Sequence, residues 1–197
     1  MTFKELKYFI YTDFYRITDS LYTGIFLKSL FYNEGFSYIF WMRICNYLRK
    51  KKLIKVFFYP FSKGILRHYT YKYGISIPFT TQIDTGFYIG HFGGIFVNPM
   101  TIIGKNCNIS QDVTLGIKNR GENTGTPIIG DNVYIGPGVK IFGKIKIGNN
   151  VAIGANCVVT KDISDNSVVV GIPGKTISNS GSTGYIERTN YKKFDAF

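Results

Sequence analysis

Histidine is nearly absent from this sequence: of 197 residues, only His68 and His91 carry an imidazole. A zinc centre built on three histidines therefore cannot form from histidine alone in one copy of the chain. Cysteine is scarce as well. Cys45, Cys107 and Cys157 are odd in number and lack the paired spacing of a metal site, which fits unpaired thiols in a reducing compartment. Acids are few, 12 Asp and Glu against 24 Lys and Arg, for a net charge of +12. Long apolar runs are missing. The most apolar region, Gly24–Tyr47, is broken by Lys28, Asn33, Glu34 and Arg43, short of the ~20 clean residues that a membrane span needs. Lys4, Glu5, Lys7 and Asp13 interrupt any apolar start, so no signal peptide is read there and a cytoplasmic location is expected. What is present is ample hydrophobic content, 45%, which excludes a disordered chain.

The charge is unevenly placed. Residues 1–76 hold 13 Lys and Arg, with Arg49, Lys50, Lys51 and Lys52 in one run, against Glu5, Asp13, Asp19 and Glu34, a net of +9. The same segment holds 21 of the 32 Phe and Tyr residues. One reading is a solvated basic face over an aromatic core. The functional readings are an anionic partner: a phosphorylated cofactor, an acidic glycan, or the surface of a membrane touched peripherally, at its inner face. No nucleic-acid-binding module accompanies the charge, so nucleic acid is set aside.

Beyond residue 73 one pattern dominates. An aliphatic residue recurs every six positions: Ile77, Ile83, Ile89 and Ile95, then after a two-residue slip Ile103, Ile109 and Leu115, then after a longer gap Ile129, Ile135, Ile141, Ile147, Ile153 and Val159. Glycine often follows the aliphatic, and a small or apolar residue stands four places after it, as at Phe87, Cys107, Val113, Val133 and Cys157. This is the hexapeptide signature of a left-handed parallel β-helix, in which three hexads close one triangular coil of about 18 residues. Both positions point inward and stack on their equivalents in the next coil, so Cys107 and Cys157 read as small buried hydrophobes.

The chain thus divides into a helical, basic, aromatic-rich region over 1–73, a β-helix over 74–177 with a protruding loop at 117–128, and a polar tail over 178–197. In the first part, Asn33–Lys50 and Leu53–Tyr73 show helical spacing, with a kink or break expected at Pro60. The tail is expected to be mobile or to lie on a neighbouring subunit.

His91 stands two residues after Ile89, which turns it outward. Equivalent outward positions in later coils are Gln111, Pro137 and Ala155. They form a column, with coils ~4.8 Å apart, so His91 and Ala155 lie about 14 Å apart. An extended pantetheine arm is of that order, and small residues at Pro137 and Ala155 would let it lie against the backbone. The loop Ile117–Ile128, with Asn119 and Arg120, is expected beside this edge as a flexible cover for substrate or cofactor; a tolerated insertion is the plain alternative. His68, in a basic helical stretch, reads as a surface or packing residue.

The stretches IGHFGGIFVNPMTIIGKNCNISQDVTLG, the NRG-containing loop, TPIIGDNVYIGPGVKIFGKIKIGNNVAIGANCVVTKDI and VVVGIPGK cover residues 74–177. With them the chain resembles the serine acetyltransferase-like branch of the hexapeptide acyltransferases, and within it the capsular and exopolysaccharide O-acetyltransferases. The γ-carbonic anhydrases, another β-helix class, require three zinc-binding histidines that this chain lacks. The resemblance implies a homotrimer with active sites between adjacent β-helices, His91 as the catalytic residue, acetyl-CoA as co-substrate, no metal, and cofactor contacts at Pro137, Ala155, Thr160, Lys161 and Lys175. Lys161 and Lys175 would meet CoA phosphates. Three positions depart from serine acetyltransferases. The aspartate about fifteen residues before the histidine is Ser76 here, the aspartate immediately before it is Gly90, and a serine-binding histidine is Thr126.

From these departures a sugar hydroxyl of a bacterial surface polysaccharide, or of its precursor, is the expected acceptor. Serine or another small molecule is the alternative acceptor. A non-catalytic scaffold or glycan-binding module is the alternative from a different class. The chemistry expected is direct transfer, with His91 taking the acceptor's proton.

Overall fold

A computed structural model describes residues 1–19, 22–51 and 55–191. Lys52 and Leu53, and the last six residues of the tail, lie outside the described residues. Among the described residues, four helices come first: α1 (Phe3–Thr18), α2 (Thr23–Tyr32), α3 (Glu34–Leu48) and α4 (Lys55–Tyr73). The helix starts are written in short-range polar chemistry. Thr2 and Glu5 make a reciprocal capping box at α1, and the Asn33 side chain accepts from the Phe36 N–H at α3, each satisfying donors that the first turn leaves open. The break expected at Pro60 does not occur; α4 is continuous through it. Pro60 is exposed and close to the helix start, so what it removes is one hydrogen bond on the solvent side.

Fifteen short strands follow. The first seven are β1 (Ile75–Ser76), β2 (Gln82–Ile83), β3 (Tyr88–Ile89), β4 (Ile95–Val97), β5 (Ile102–Ile103), β6 (Asn108–Ile109) and β7 (Thr114–Gly116). Then come β8 (Ile128–Ile129), β9 (Tyr134–Ile135), β10 (Lys140–Phe142), β11 (Lys146–Ile147), β12 (Ala152–Ile153), β13 (Val158–Val159), β14 (Val168–Val170) and β15 (Lys175–Ser178). They stack into three parallel faces of a prism. The first is β1-β4-β7-β10-β13, the second β2-β5-β8-β11, and the third β3-β6-β9-β12-β14, to which β15 adds antiparallel. The thirteen aliphatic positions of the repeat are all buried, and so, four places on, are Phe87, Cys107, Val113, Val133, Val139, Ile145, Val151, Cys157 and Ile163. The core they form is continuous with Tyr38, Ile39 and Met42 of α3 and Leu66 and Tyr73 of α4.

The register moves the two-residue slip. Tyr88 pairs with Asn108, 20 residues on, but Phe96 pairs with Thr114, only 18 on. The extra residues therefore fall between Ile89 and Phe96, not after Ile95. Val97, not Ile95, stacks on Leu115. Ile95 is buried in the place that the next coil gives to Val113. Both residues are aliphatic and two apart, so the six-residue count alone could not separate them. The displaced slip lands in the turn His91-Phe92-Gly93-Gly94.

Helices and prism are joined by a buried ion pair. Arg43 Nε lies 2.9 Å from Asp13 Oδ2, and its other nitrogens donate to the carbonyls of Ile83 and Asp84 at 2.6 Å. Asp13 also accepts from the Phe87 N–H at 2.8 Å. Burial pushes the Asp13 carboxyl above the ordinary range, and Arg43 opposes that shift. A buried pair of this kind is tolerable because nearly every donor and lone pair finds a partner.

The tail departs from expectation. Up to Tyr191 it folds back onto its own chain. Ser182 donates from its hydroxyl to the Asn132 carbonyl (2.7 Å), Tyr185 stacks on Tyr134 with centroids 4.4 Å apart, and Tyr191 donates to Asn106 Oδ1 (2.6 Å). Arg188 reaches the Ile17 carbonyl at the end of α1 (2.6 Å). The tail covers the edge where Asn106, Asn132, Asn150 and Asn166 form a ladder of side-chain amide hydrogen bonds. All four have positive φ, a conformation asparagine tolerates better than most residues.

Candidate functional site

His91 follows β3 and begins the turn that carries the chain from the third face to the first. Its backbone alignment is fixed by the Gly90 N–H, which donates to the Ile109 carbonyl at 3.0 Å. The slip makes this turn two residues longer than its equivalents, so it bulges. Gly93 (φ 102°) and Gly94 (φ 67°) take the positive-φ positions that the bulge needs. A Cβ on Gly94 would stand 3.1 Å from the Asp112 Cα. The bulge is propped from both sides. Phe92 rests on Tyr73, ring centroids 5.6 Å apart, and Tyr73 stacks on Tyr69 at 5.1 Å. Beneath the turn, the Asp112 N–H donates to the Gly93 carbonyl at 2.7 Å, and the Asp112 carboxylate pairs with Lys140 at 2.9 Å. Sequence reasoning missed Asp112, Lys140 and Tyr73. The only signal was the extra length of the turn, and that had been placed elsewhere.

His91 itself is exposed, and among the described residues nothing hydrogen-bonds its ring. Gln111 lies one coil below in register. Its side-chain oxygen is buried and has no hydrogen-bond partner among the described residues. Pro137 and Ala155 continue the same edge. Gly138 N–H donates to the Gln111 carbonyl and Asn156 N–H to that of Pro137, at 3.0 and 2.8 Å. The edge is smooth because its strands approach closely; a Cβ on Gly136 would meet the Ile153 carbonyl oxygen at 2.8 Å. The turn 171–174 closes the far end of this edge, bonded to Val158 from both Gly171 and Gly174, and Lys175 follows it, exposed. His91, Gln111, Pro137, Ala155 and Lys175 are therefore brought to one edge.

The remaining candidates lie on another. Thr160 and Lys161 follow β13, at the edge between the first and second faces. The loop 117–128 leaves β7 and enters β8 at that edge too, one face away from His91 and not beside it. The loop is also not an open cover. Lys118 and Gly125 exchange two backbone hydrogen bonds of 2.9 Å, and Lys144 N–H donates to the Asn123 carbonyl at 2.8 Å, which pins the hairpin to the next coil. Asn119 and Arg120 are exposed on it. The departures noted in the sequence are separate in space: Ser76 pairs with Phe96 on the first face, and Thr126 donates to the Met100 carbonyl at 3.0 Å.

All three cysteines are free and buried. Burial pushes the Cys107 thiol up to about 12 and raises Cys45 and Cys157 as well, so none is a nucleophile at neutral pH.

Residues 126–161 match the family model "Bacterial transferase hexapeptide (six repeats)". The match lies in the later part of the coil, from Thr126 to Lys161. The chain is similar to a serine acetyltransferase of Synechococcus elongatus, 33% identical over 156 residues, which is 79% of this chain and 62% of that protein. A Staphylococcus aureus serine acetyltransferase is 42% identical over 108 residues, 55% of this chain and 51% of its own. The chain thus spans between half and two thirds of the length of these relatives. Among solved structures, the Brucella abortus serine acetyltransferase in complex with coenzyme A superposes with a TM-score of 0.70 at 25% identity, covering 90% of this chain and 68% of that one. The Neisseria gonorrhoeae enzyme gives 0.69 at 28% identity, covering 90% and 65%.

These similarities overturn the expectation of a polysaccharide hydroxyl as acceptor. The relatives are serine acetyltransferases by name, and the likeness runs through most of the chain. The polysaccharide reading stood on the resemblance to capsular and exopolysaccharide O-acetyltransferases and on the departures at Ser76, Gly90 and Thr126. Three positions that the fold keeps apart do not specify a sugar.

Proposed function

We propose that the protein is an acetyl-CoA-dependent O-acetyltransferase acting on serine or a comparably small hydroxyl acceptor. The observation that carries this is the exposed, unpartnered His91 on a bulged turn at the head of a smooth edge running through Gln111, Pro137 and Ala155 to Lys175. The reading takes the coil as left-handed, as its six-residue repeat and its superposition on serine acetyltransferase structures imply.

In this reading neutral His91 accepts the proton of the acceptor hydroxyl while that oxygen forms a bond to the thioester carbonyl carbon. The carbon–sulfur bond then breaks, and the imidazolium returns the proton to the departing thiolate. A backbone N–H near Gly93–Gly94, or one from a neighbouring subunit, is assigned to the oxyanion. The unpartnered oxygen of Gln111 suits an N–H or O–H of the acceptor, since a buried acceptor gains most from being paired. Pro137 and Ala155 would flank the pantetheine arm, with Lys175 toward the nucleotide end; Thr160 and Lys161, on the other edge, would meet a cofactor lying along an adjacent copy.

A homotrimer is part of the proposal. His91 and the loop carrying Asn119 and Arg120 sit at opposite margins of the first face, so adjacent copies would bring the loop of one toward the histidine of the next. Light scattering tests the assembly. Calorimetry with coenzyme A tests the cofactor edge, and an acetyl-CoA consumption assay against serine and other small hydroxyl compounds tests the acceptor. A scaffold would give no heat with coenzyme A and no turnover.

A further inference from the structure

Helices α2 and α4 each leave several large apolar side chains in water. Of the ten residues of α2 only Ser29 is buried. Tyr22, Leu27, Phe31 and Tyr32 are exposed there, Tyr32 at 78%. On α4, Val56, Phe57, Phe58 and Phe61 are exposed, Phe57 at 79%. A lone exposed aromatic requires no explanation, but a contiguous set does. The two sets are linked across α3. Phe26 of α2 packs edge-on against Phe40 at 6.1 Å, Phe40 against Trp41 at 5.4 Å, and Trp41 against Phe61 of α4 at 6.4 Å. Both helices therefore pack against α3.

Charge decides what can cover this face. Neither α2 nor α4 contains an acid, whereas Lys28, Lys63, Arg67 and Lys72 lie on them. Of the four acids in residues 1–76, Asp13 is buried against Arg43, and Glu5 is held by Thr2 and the amino terminus. A second copy docking through the same face would press two strongly basic segments together, and like charges across an interface oppose association. An anionic bilayer offers the opposite charge, with an apolar layer just beneath it. At 1.5 Å per residue α2 is about 15 Å long, half of a ~30 Å hydrocarbon core. No helix among the described residues is long and apolar enough to cross a membrane, so such a face would lie in the interface.

We infer that α2 and the N-terminal half of α4 form a docking face for an anionic lipid bilayer. Phe31, Tyr32, Phe57, Phe58 and Phe61 enter the boundary between headgroups and acyl chains, and Lys28, Lys63 and Arg67 meet lipid phosphates. This inference does not draw on the acetyl-transfer reading, and its test involves no turnover. The full chain is sedimented with vesicles of phosphatidylcholine alone and of phosphatidylcholine mixed with phosphatidylglycerol. It is expected to favour the anionic vesicles by at least about tenfold, since each surface base is attracted to the anionic headgroups, and to release at high salt. The triple variant Phe57→Ser, Phe58→Ser, Phe61→Ser should lose binding while keeping its circular dichroism and melting temperature. The triple variant Lys28→Glu, Lys63→Glu, Arg67→Glu should lose the anionic preference. Full chain left in the supernatant with phosphatidylglycerol vesicles overturns the proposal, and so does unchanged binding by the serine variant. If the serine variant instead lowers the oligomeric order without altering vesicle binding, the face is a contact between copies and the proposal falls.

Discussion

Phe92, the residue after His91, rests on Tyr73 at the end of α4, with ring centroids 5.6 Å apart. This contact links α4 to the turn that presents the imidazole. It also gives the helices a role in positioning His91 in addition to their own packing.

Tyr73→Ala should therefore loosen the turn. We expect kcat for acetyl transfer to fall about tenfold or more with little change in the KM for acetyl-CoA, because misplacing a catalytic group costs rate before it costs cofactor binding. Tyr73→Phe keeps the ring and should restore most of the rate. Steady-state kinetics on the two variants separates positioning from general destabilisation, which would lower melting temperature and rate together.

The Asp13–Arg43 pair is the polar anchor between helices and prism. Arg43→Met leaves a buried carboxylate without its cation and should cost at least ~3 kcal/mol in urea unfolding. The double variant Arg43→Met, Asp13→Leu should recover much of that loss, since the uncompensated charge is removed as well. Equal losses in the single and double variants would mean that the hydrogen bonds to Ile83, Asp84 and Phe87 matter more than the charge.

The tail from Ser182 to Tyr191 should behave as ordered structure. Limited proteolysis is expected to spare the bonds on either side of Tyr185. Tyr185→Ala removes the stack on Tyr134, worth about 1 kcal/mol, and should make this segment cleavable before the coil itself unfolds.

The three buried thiols should be silent in the native protein. A thiol reagent at neutral pH is expected to label none of Cys45, Cys107 and Cys157 rapidly, and to label all three after denaturation. This follows from burial, which keeps the thiols protonated. Rapid native labelling of Cys107 would contradict its place inside the coil.

Much of the fold was legible because the β-helix repeats one local rule. Each inward aliphatic has its partner one coil away, so a count along the chain reports a three-dimensional contact. What the sequence hid were contacts without period. The two-residue slip was misplaced because Ile95 and Val97 are both acceptable inward residues, and only strand register chooses between them. The edge of the loop at 117–128 was misjudged because counting coils gives its height but not the face it leaves. The fold-back of the tail depends on Asn106, Asn132, Tyr134 and Tyr15, whose ring meets that of Tyr191 edge-on at 6.2 Å; these residues are distant in sequence and share no pattern with the tail. The column from His91 to Ala155 was readable, since it is a property of the repeat. The props beneath the turn, Tyr73, Asp112 and Lys140, were not.

The central claim is that His91 removes a proton from a small hydroxyl acceptor during transfer from acetyl-CoA. The direct measurement is formation of O-acetylserine from acetyl-CoA and L-serine by the full chain and by His91→Ala. The account predicts turnover by the full chain and a loss of at least ~10²-fold in kcat for the variant, with the same oligomeric state and the same heat of binding for coenzyme A. Near-normal turnover by His91→Ala, or no product from the full chain, would contradict it.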